Sequence, residues 1–256
     1  FWYRFLYDIG EVPTPEPYAK RSAQGMILGA DGVKMSKSRG NVVDPDDVVR
    51  KYGADTLRTY ILFMGDYGSS APWNENGVKG CRRFLERVAE LTDLAQGAGS
   101  TPELEALFHK TVRKVTLDIE EMKFNTAIAA MMTLINEIYD RRRLTIDELK
   151  TLVVLLCPFA PPLCEEMWER LGGEGFCSMA AWPSYDEEKC RDAAVEIAVQ
   201  INGKVRSRLT VAADIAAPDA IAAAKADERI ASLIGSGTVV KELYVPGKLV
   251  NLVVKP

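Results

Sequence analysis

Lys34 and Lys37 stand three residues apart among small hydroxyl side chains in Lys34-Met35-Ser36-Lys37-Ser38, with Gly29 and Gly32 before them and Gly40 after. This composition suits a loop that closes over a polyphosphate. Lysines act there as point charges, serine hydroxyls and backbone N–H groups donate hydrogen bonds, and glycines let the backbone move. A short Lys/Ser stretch taken alone is more often a solvated basic turn. Lys20 to Asn41 holds five basic residues and one acidic, a basic island in a chain of net charge −4.

The flanking residues extend the pattern. Gln24-Gly25-Met26-Ile27-Leu28 precedes the loop and Gly40-Asn41-Val42-Val43-Asp44-Pro45 follows it. Then come Tyr52-Gly53-Ala54-Asp55-Thr56-Leu57-Arg58 and Leu62-Phe63-Met64-Gly65-Asp66-Tyr67. On these residues the chain resembles the class I aminoacyl-tRNA synthetases, whose Lys-Met-Ser-Lys-Ser signature it carries. The elements after the signature are shared by the valyl, isoleucyl and leucyl enzymes. The Gln-Gly-Met lead-in, Glu16-Pro17, the Phe63-to-Trp73 segment and the pair Val199–Lys204 and Pro246–Asn251 are most similar to the leucyl-tRNA synthetases. The similarity runs over essentially the whole chain.

The resemblance implies a two-step reaction, in which ATP activates leucine to leucyl-adenylate and the leucyl group passes to tRNA(Leu). Charge grows on the phosphoryl oxygens in the first step, and removing one fixed cation aimed at such charge typically costs ~10²–10³ in rate. Lys34 and Lys37 map onto the two signature lysines. Lys37 is expected to grip the phosphates as pyrophosphate departs, with Lys34 assisting. Ser36 and Ser38 would donate to phosphate oxygens and Met35 would pack near the adenine. Mg²⁺ would accompany ATP, and no residue of this chain is assigned as a metal ligand. The family also needs a His-Ile-Gly-His motif, and the one histidine here is His109, to which no role is given. The chain therefore reads as part of a leucine–tRNA ligase, beginning just before the signature and inactive by itself. It starts at Phe1 without an initiator Met, as a piece cut from a longer protein would.

The elements must hold that loop in place. Phe1 to Leu6 reads as helical or buried, and Ser22 to Leu28 as a short strand ending near Gly29. Asp31-Gly32 is a turn signal. Asp44 reads as a helix N-cap with Pro45 at the first position, Asp46 and Asp47 as first-turn acids, and Gly53 as the stop beyond Tyr52. A second helix is expected from Ala54 to Met64. The loop thus lies between a strand and capped helices that fix its ends.

Apolar residues at three-four spacing predict further helices. The first carries Val78, Cys81, Phe84, Val88 and Leu91. The second starts at Thr101-Pro102 and the third is capped by Asn125. The fourth starts at Thr145 and is apolar nearly all round at Leu152–Leu156, hence central. The fifth starts at the Pro161-Pro162 pair and runs to Leu171. Five such helices with short connections make an antiparallel bundle. The last stretch alternates at Val195, Ile197, Val199 and Ile201, turns at Asn202-Gly203, and continues through Val205 to Val211, a β-hairpin pattern. Two short helices broken near Asp227 and a second strand pair follow. The expected fold class is mainly α. Residues 1–72 form a short α/β segment with the signature loop. Residues 73–190 form a helical bundle of anticodon-binding type. Residues 191–256 form a small ββααββ domain that binds tRNA.

RNA contact is expected at two places. Arg141-Arg142-Arg143 closes the third bundle helix, where charges complementing the helix dipole are the alternative. Lys204, Arg206 and Arg208 alternate, which places them on one strand face, and Lys248 sits on the other hairpin's turn. Basic strand faces suit phosphate contact, and protection of an edge strand is the alternative.

Cys81, Cys157, Cys164, Cys177 and Cys190 have no C-x-x-C spacing, so a zinc site is disfavoured and free thiols in a reducing cytoplasm are expected. No apolar run approaches the ~20 residues that span a bilayer. A monomer is expected. The competing readings are a valyl or isoleucyl relative and a non-catalytic tRNA-binding module.

Overall fold

The computed structural model describes residues 1–190, 194–235 and 237–255. They divide into two compact units, Phe1–Ser184 and Tyr185–Pro256. The expected boundary at residue 191 falls on 191–193, outside the described residues.

The first unit opens with α1 (Trp2–Asp8), which is helical but buries no residue; Phe1 is 99% exposed. Strand β1 covers Ile27–Leu28 only, shorter than expected, and pairs in parallel with β2 (Ala71–Pro72). The pair is held by Ala71 N donating to Met26 O at 3.1 Å and Trp73 N donating to Leu28 O at 2.9 Å, and Pro72, whose position gives no bond to β1, interrupts neither. Upstream, Gly25 N donates to Tyr67 O at 2.8 Å and Met26 N to Ser70 Oγ at 3.2 Å. The backbone of Ser69 lies so close to Gly25 that a Cβ there would sit 1.9 Å from Ser69 O.

Helix α2 (Pro45–Tyr52) begins as its sequence dictates: the Asp44 side chain accepts from Asp46 N at 2.9 Å, Pro45 fills the first position, and Gly53 ends it at φ +89°. Helix α3 (Ala54–Phe63) follows directly. Val48, Tyr60, Trp73, Val78 and Cys81 form a buried cluster under this segment, with Tyr60 edge-on to Trp73 at 4.9 Å.

Five helices follow: α4 (Glu75–Leu94), α5 (Pro102–Glu120), α6 (Phe124–Arg141), α7 (Ile146–Leu156) and α8 (Pro161–Arg170). Leu152 to Leu156 of α7 are all buried, so the helix that is apolar nearly all round is the central one. Thr145 and Glu148 form a reciprocal capping box at its start. Helix α6 starts two residues earlier than expected, with Lys123 rather than Asn125 at the N-cap position. The reason is the tight α5–α6 corner. Met122 takes φ +60°, Lys123 N donates to Asp118 O at 2.7 Å, and Thr126 Oγ1 donates to the buried Asp118 carboxylate at 2.6 Å. Phe124 is then free to pack edge-on against Tyr67 and Phe159.

The second unit has the order β3 (Ala194–Ile201), β4 (Lys204–Ala212), α9 (Ala217–Ala226), α10 (Glu228–Ile234), β5 (Thr238–Val245) and β6 (Leu249–Lys255). The sheet order is β4-β3-β6-β5, with β3 and β6 parallel at the centre and antiparallel strands at both edges. Ile197, Val199, Val250 and Leu252 pack with Ala220, Ala224 and Ile230 of the helices in one core. Asn202 (φ +51°) and Gly203 (φ +77°) make the hairpin turn that requires left-handed backbone at both positions. The Asn202 amide continues the sheet beyond the turn: it accepts from Val254 N at 2.9 Å and donates to Val254 O at 3.1 Å.

Candidate functional site

The lysine loop leaves β1 at Gly29 and rejoins the helices at Asp44. Gly32 N donates to Gly29 O at 2.9 Å and Gly29 N to Val33 O at 2.8 Å, closing a turn with Gly32 at φ +73°. Lys37–Arg39 form a 3-10 turn ended by Gly40 at φ +69°. Lys34 and Lys37 are exposed, and among the described residues neither ammonium group enters an ion pair. Ser36 Oγ and Ser38 Oγ lie 2.8 Å apart, hydrogen-bonded to each other. Ser38 is exposed like the two lysines, and Ser36 is half-buried.

Two anchors hold the loop. Met35 packs against the buried Val48–Tyr60–Trp73 cluster. Met35 is half-buried there, and this packing pins the loop to the core. The second anchor is Asn41, a residue that charge and spacing did not single out. Its Oδ1 accepts from Ser36 N at 2.8 Å, and its Nδ2 faces both oxygens of Asp31 at 3.3 and 3.2 Å and Lys34 O at 3.4 Å. Asp31 Oδ1 also accepts from Val33 N at 3.1 Å. The Val33 N–H, then the Asn41 amide, hold the Asp31 carboxyl below its ordinary pKa. Gly29 is buried beneath this knot; a Cβ there would lie 2.6 Å from Asp31 Oδ1 and 2.8 Å from Asn41 Nδ2.

The Gly53-Ala54-Asp55-x-x-Arg58 element also has a structural office that sequence reading missed. Asp55 Oδ2 accepts from Leu163 N at 2.9 Å and Arg58 donates to Pro158 O at 3.3 Å. The signature segment is thereby tied to the start of α8. Glu75 joins α2 to α4 in the same way, accepting from Lys51 at 2.9 Å and Tyr52 at 2.7 Å. The Tyr52 hydroxyl, then Lys51, hold its carboxyl below the ordinary range.

The arginines at the end of α6 do not form one uniform patch. Arg141 pairs with Glu137 at 3.3 Å and Arg143 with Glu103 at 3.6 Å, while Arg142 occupies the left-handed C-cap at φ +52°. On the hairpin, a bulge corrects the expected alternation. Ser207 pairs with Val199 and Val205 with Gln200, so Arg206 is the extra residue. Paired residues share a face, so Arg208, opposite Ala198, lies on the face away from the helices, and Lys204, opposite the core-packed Ile201, lies on the other. Lys204, Arg206 and Arg208 are thus exposed but not aligned on one face, and Arg208 pairs with Glu196 at 2.8 Å. Lys248 is exposed beside the second turn, its carbonyl accepting from Ala198 N at 3.0 Å.

Residues 2–74 match the class I tRNA synthetases (I, L, M and V), and residues 103–221 match the anticodon-binding domain of tRNA ligase. A leucine–tRNA ligase from Alkaliphilus oremlandii (strain OhILAs) is 52% identical over 256 residues, covering 100% of this chain and 32% of the relative. A leucine–tRNA ligase from Bdellovibrio bacteriovorus (strain ATCC 15356 / DSM 50701 / NCIMB 9529 / HD100) is 48% identical over 261 residues, covering 100% of this chain and 33% of the relative. Among solved structures, the ternary complex LeuRS-tRNA-LeuAMS of Agrobacterium radiobacter K84 agnB2 is similar with a TM-score of 0.77 and 31% identity. That similarity covers 100% of this chain and 36% of that one. The chain spans about a third of the length of the curated relatives it matches.

Proposed function

We propose that the chain belongs to the leucine–tRNA ligases of class I, as a catalytic tail joined to an anticodon-binding domain, and that it supplies their ATP-phosphate loop and tRNA-binding surfaces. The full enzyme would activate leucine with ATP to leucyl-adenylate and transfer it to tRNA(Leu). The observation that carries this reading is the loop itself. Two ammonium groups that enter no ion pair among the described residues stand on a loop that Met35 and Asn41 anchor.

Lys37 would follow the charge that gathers on the β- and γ-phosphates as their bond to the α-phosphorus breaks, and Lys34 would share it. Ser36 and Ser38 each have a hydroxyl to turn from the other toward a phosphate oxygen. Mg²⁺ would arrive on the ATP phosphates. Asp31, the carboxylate of the loop, is already taken up by Val33 N–H and the Asn41 amide, so no step is assigned to metal coordination by this chain.

Residues 73–190 would support the tRNA through Arg141, Arg142 and Arg143, and residues 191–256 through Lys204, Arg206, Arg208 and Lys248. The chain alone would bind tRNA and aminoacylate nothing, working as a cytoplasmic monomer only within the complete enzyme. Titrating the isolated chain with tRNA(Leu) and with ATP separately tests this division. Salt-sensitive tRNA binding with no leucine activation is the expected result. Absence of tRNA binding at low salt overturns the assignment of the tRNA surfaces.

A further inference from the structure

Asn41 makes contact at four points of the signature loop at once. Its carbonyl oxygen receives Ser36 N–H, which lies between the two lysines and next to Lys37, and its amide nitrogen faces Lys34 O. The same nitrogen points at both oxygens of Asp31, ten residues upstream, at 3.3 and 3.2 Å. Asp31 is in turn oriented by Val33 N–H. The knot leaves no room for a side chain at Gly29. An amide donates and accepts from a single planar end without carrying charge, as this arrangement requires.

We infer that Asn41 is a positioning residue for the phosphate-binding lysines, latched by Asp31. The inference rests on the reading of this loop as a phosphate site. Asn41 touches no reacting atom. It fixes the Lys34 carbonyl and the Ser36 amide relative to each other, and so the separation and direction from which the Lys34 and Lys37 side chains depart. Asp31 holds the Asn41 nitrogen so that its oxygen faces Ser36. Without the latch the loop keeps its Met35 anchor and its lysines, but the two ammonium groups no longer leave a fixed frame. A fixed frame matters because misplacement of a contributing group by about 1 Å can cost on the order of 10²-fold in rate.

The test uses the full-length enzyme that carries this chain. Asn41→Ala is expected to lower kcat for leucine-dependent ATP–pyrophosphate exchange by about 10- to 100-fold, with KM for leucine unchanged. Asn41→Asp sets two carboxylates against each other and is expected to lose at least as much. The double exchange Asp31→Asn with Asn41→Asp restores a donor facing an acceptor and keeps an acceptor for Ser36 N–H, so it should recover part of the loss. Lys37→Ala is the control for the phosphate reading. An Asn41→Ala enzyme with unchanged kcat, alongside an impaired Lys37→Ala enzyme, overturns the latch. So does a double exchange no better than Asn41→Asp. Trypsin cleavage after Lys34, Lys37 and Arg39 supplies a readout independent of catalysis: Asn41→Ala should accelerate it. Should Lys37→Ala leave exchange intact, the phosphate reading falls and trypsin alone decides, unchanged cleavage counting against the latch and faster cleavage for it.

Discussion

The Asp55 carboxylate receives Leu163 N–H at 2.9 Å across 108 residues of sequence. Helix α8 opens with Pro161 and Pro162, which have no N–H, so Leu163 carries the first free donor of that helix, and Asp55 acts as a cap borrowed from α3. Burial raises the Asp55 pKa, opposed by the Leu163 N–H and by Arg58, and its buried Oδ1 has no hydrogen-bond partner among the described residues.

Asp55→Asn keeps the acceptor for Leu163 and removes the burden of burying a charge. A folded-state pKa above the unfolded one means that this group's contribution to stability is complete at low pH and is lost as pH rises through the folded value. The Asn variant should therefore match or exceed the parent chain in Tm near pH 7, with the difference shrinking toward pH 4. Asp55→Ala, which removes the acceptor, should cost about 1 kcal/mol. Thermal unfolding across that pH range checks both.

Glu148 binds two helix starts together. Its Oε1 accepts from Thr101 N at 2.6 Å, and its Oε2 accepts from Thr101 Oγ1 at 2.8 Å and Thr145 N at 2.9 Å, at 6% exposure. Glu148→Ala removes all three bonds and strands the donors. A loss of about 2–4 kcal/mol is expected from charged hydrogen bonds of this kind. Urea unfolding followed by helix content should show the lower midpoint.

Arg206 and Arg208 have different surroundings, since the bulge sets Arg206 outside the pairing and Arg208 is held by Glu196. Arg206→Glu should weaken tRNA binding more than Arg208→Glu. Each lost phosphate contact should flatten the slope of log affinity against log salt by about 0.7–0.9. An unaltered slope in both variants would mean that these charges guard the strand edge instead.

The thiols should be inert in the folded chain. Burial pushes Cys81 up to about 11 and Cys177 up to about 12, and raises Cys157 and Cys164 as well. Iodoacetamide at pH 8 should label these four slowly in the native state and rapidly in guanidinium. Fast labelling of Cys177 in the native state would show that its cover is open.

Local chemistry was legible wherever a few adjacent residues decide the outcome. Asp44-Pro45 announces the start of α2, Thr145 that of α7, and Asn202-Gly203 the hairpin. What spacing could not show depends on partners distant in the chain or on register. Nothing near Asp55 reveals Leu163. The bulge at Arg206 shifts a register that strict alternation would keep, and so separates Lys204 from Arg208. Asn41 was visible as part of a shared pattern, but its office is set by Asp31 and Ser36 once the backbone turns at Gly32 and Gly40. Met35, flanked by polar residues, gave no periodicity to show that it faces the core.

The most direct test of the central claim is leucine-dependent ATP–pyrophosphate exchange by the full-length enzyme with Lys37→Ala. The account predicts a fall of about 10²–10³ in kcat with a much smaller change in ATP binding. Exchange at the parent rate after Lys34 and Lys37 are both neutralised would contradict it.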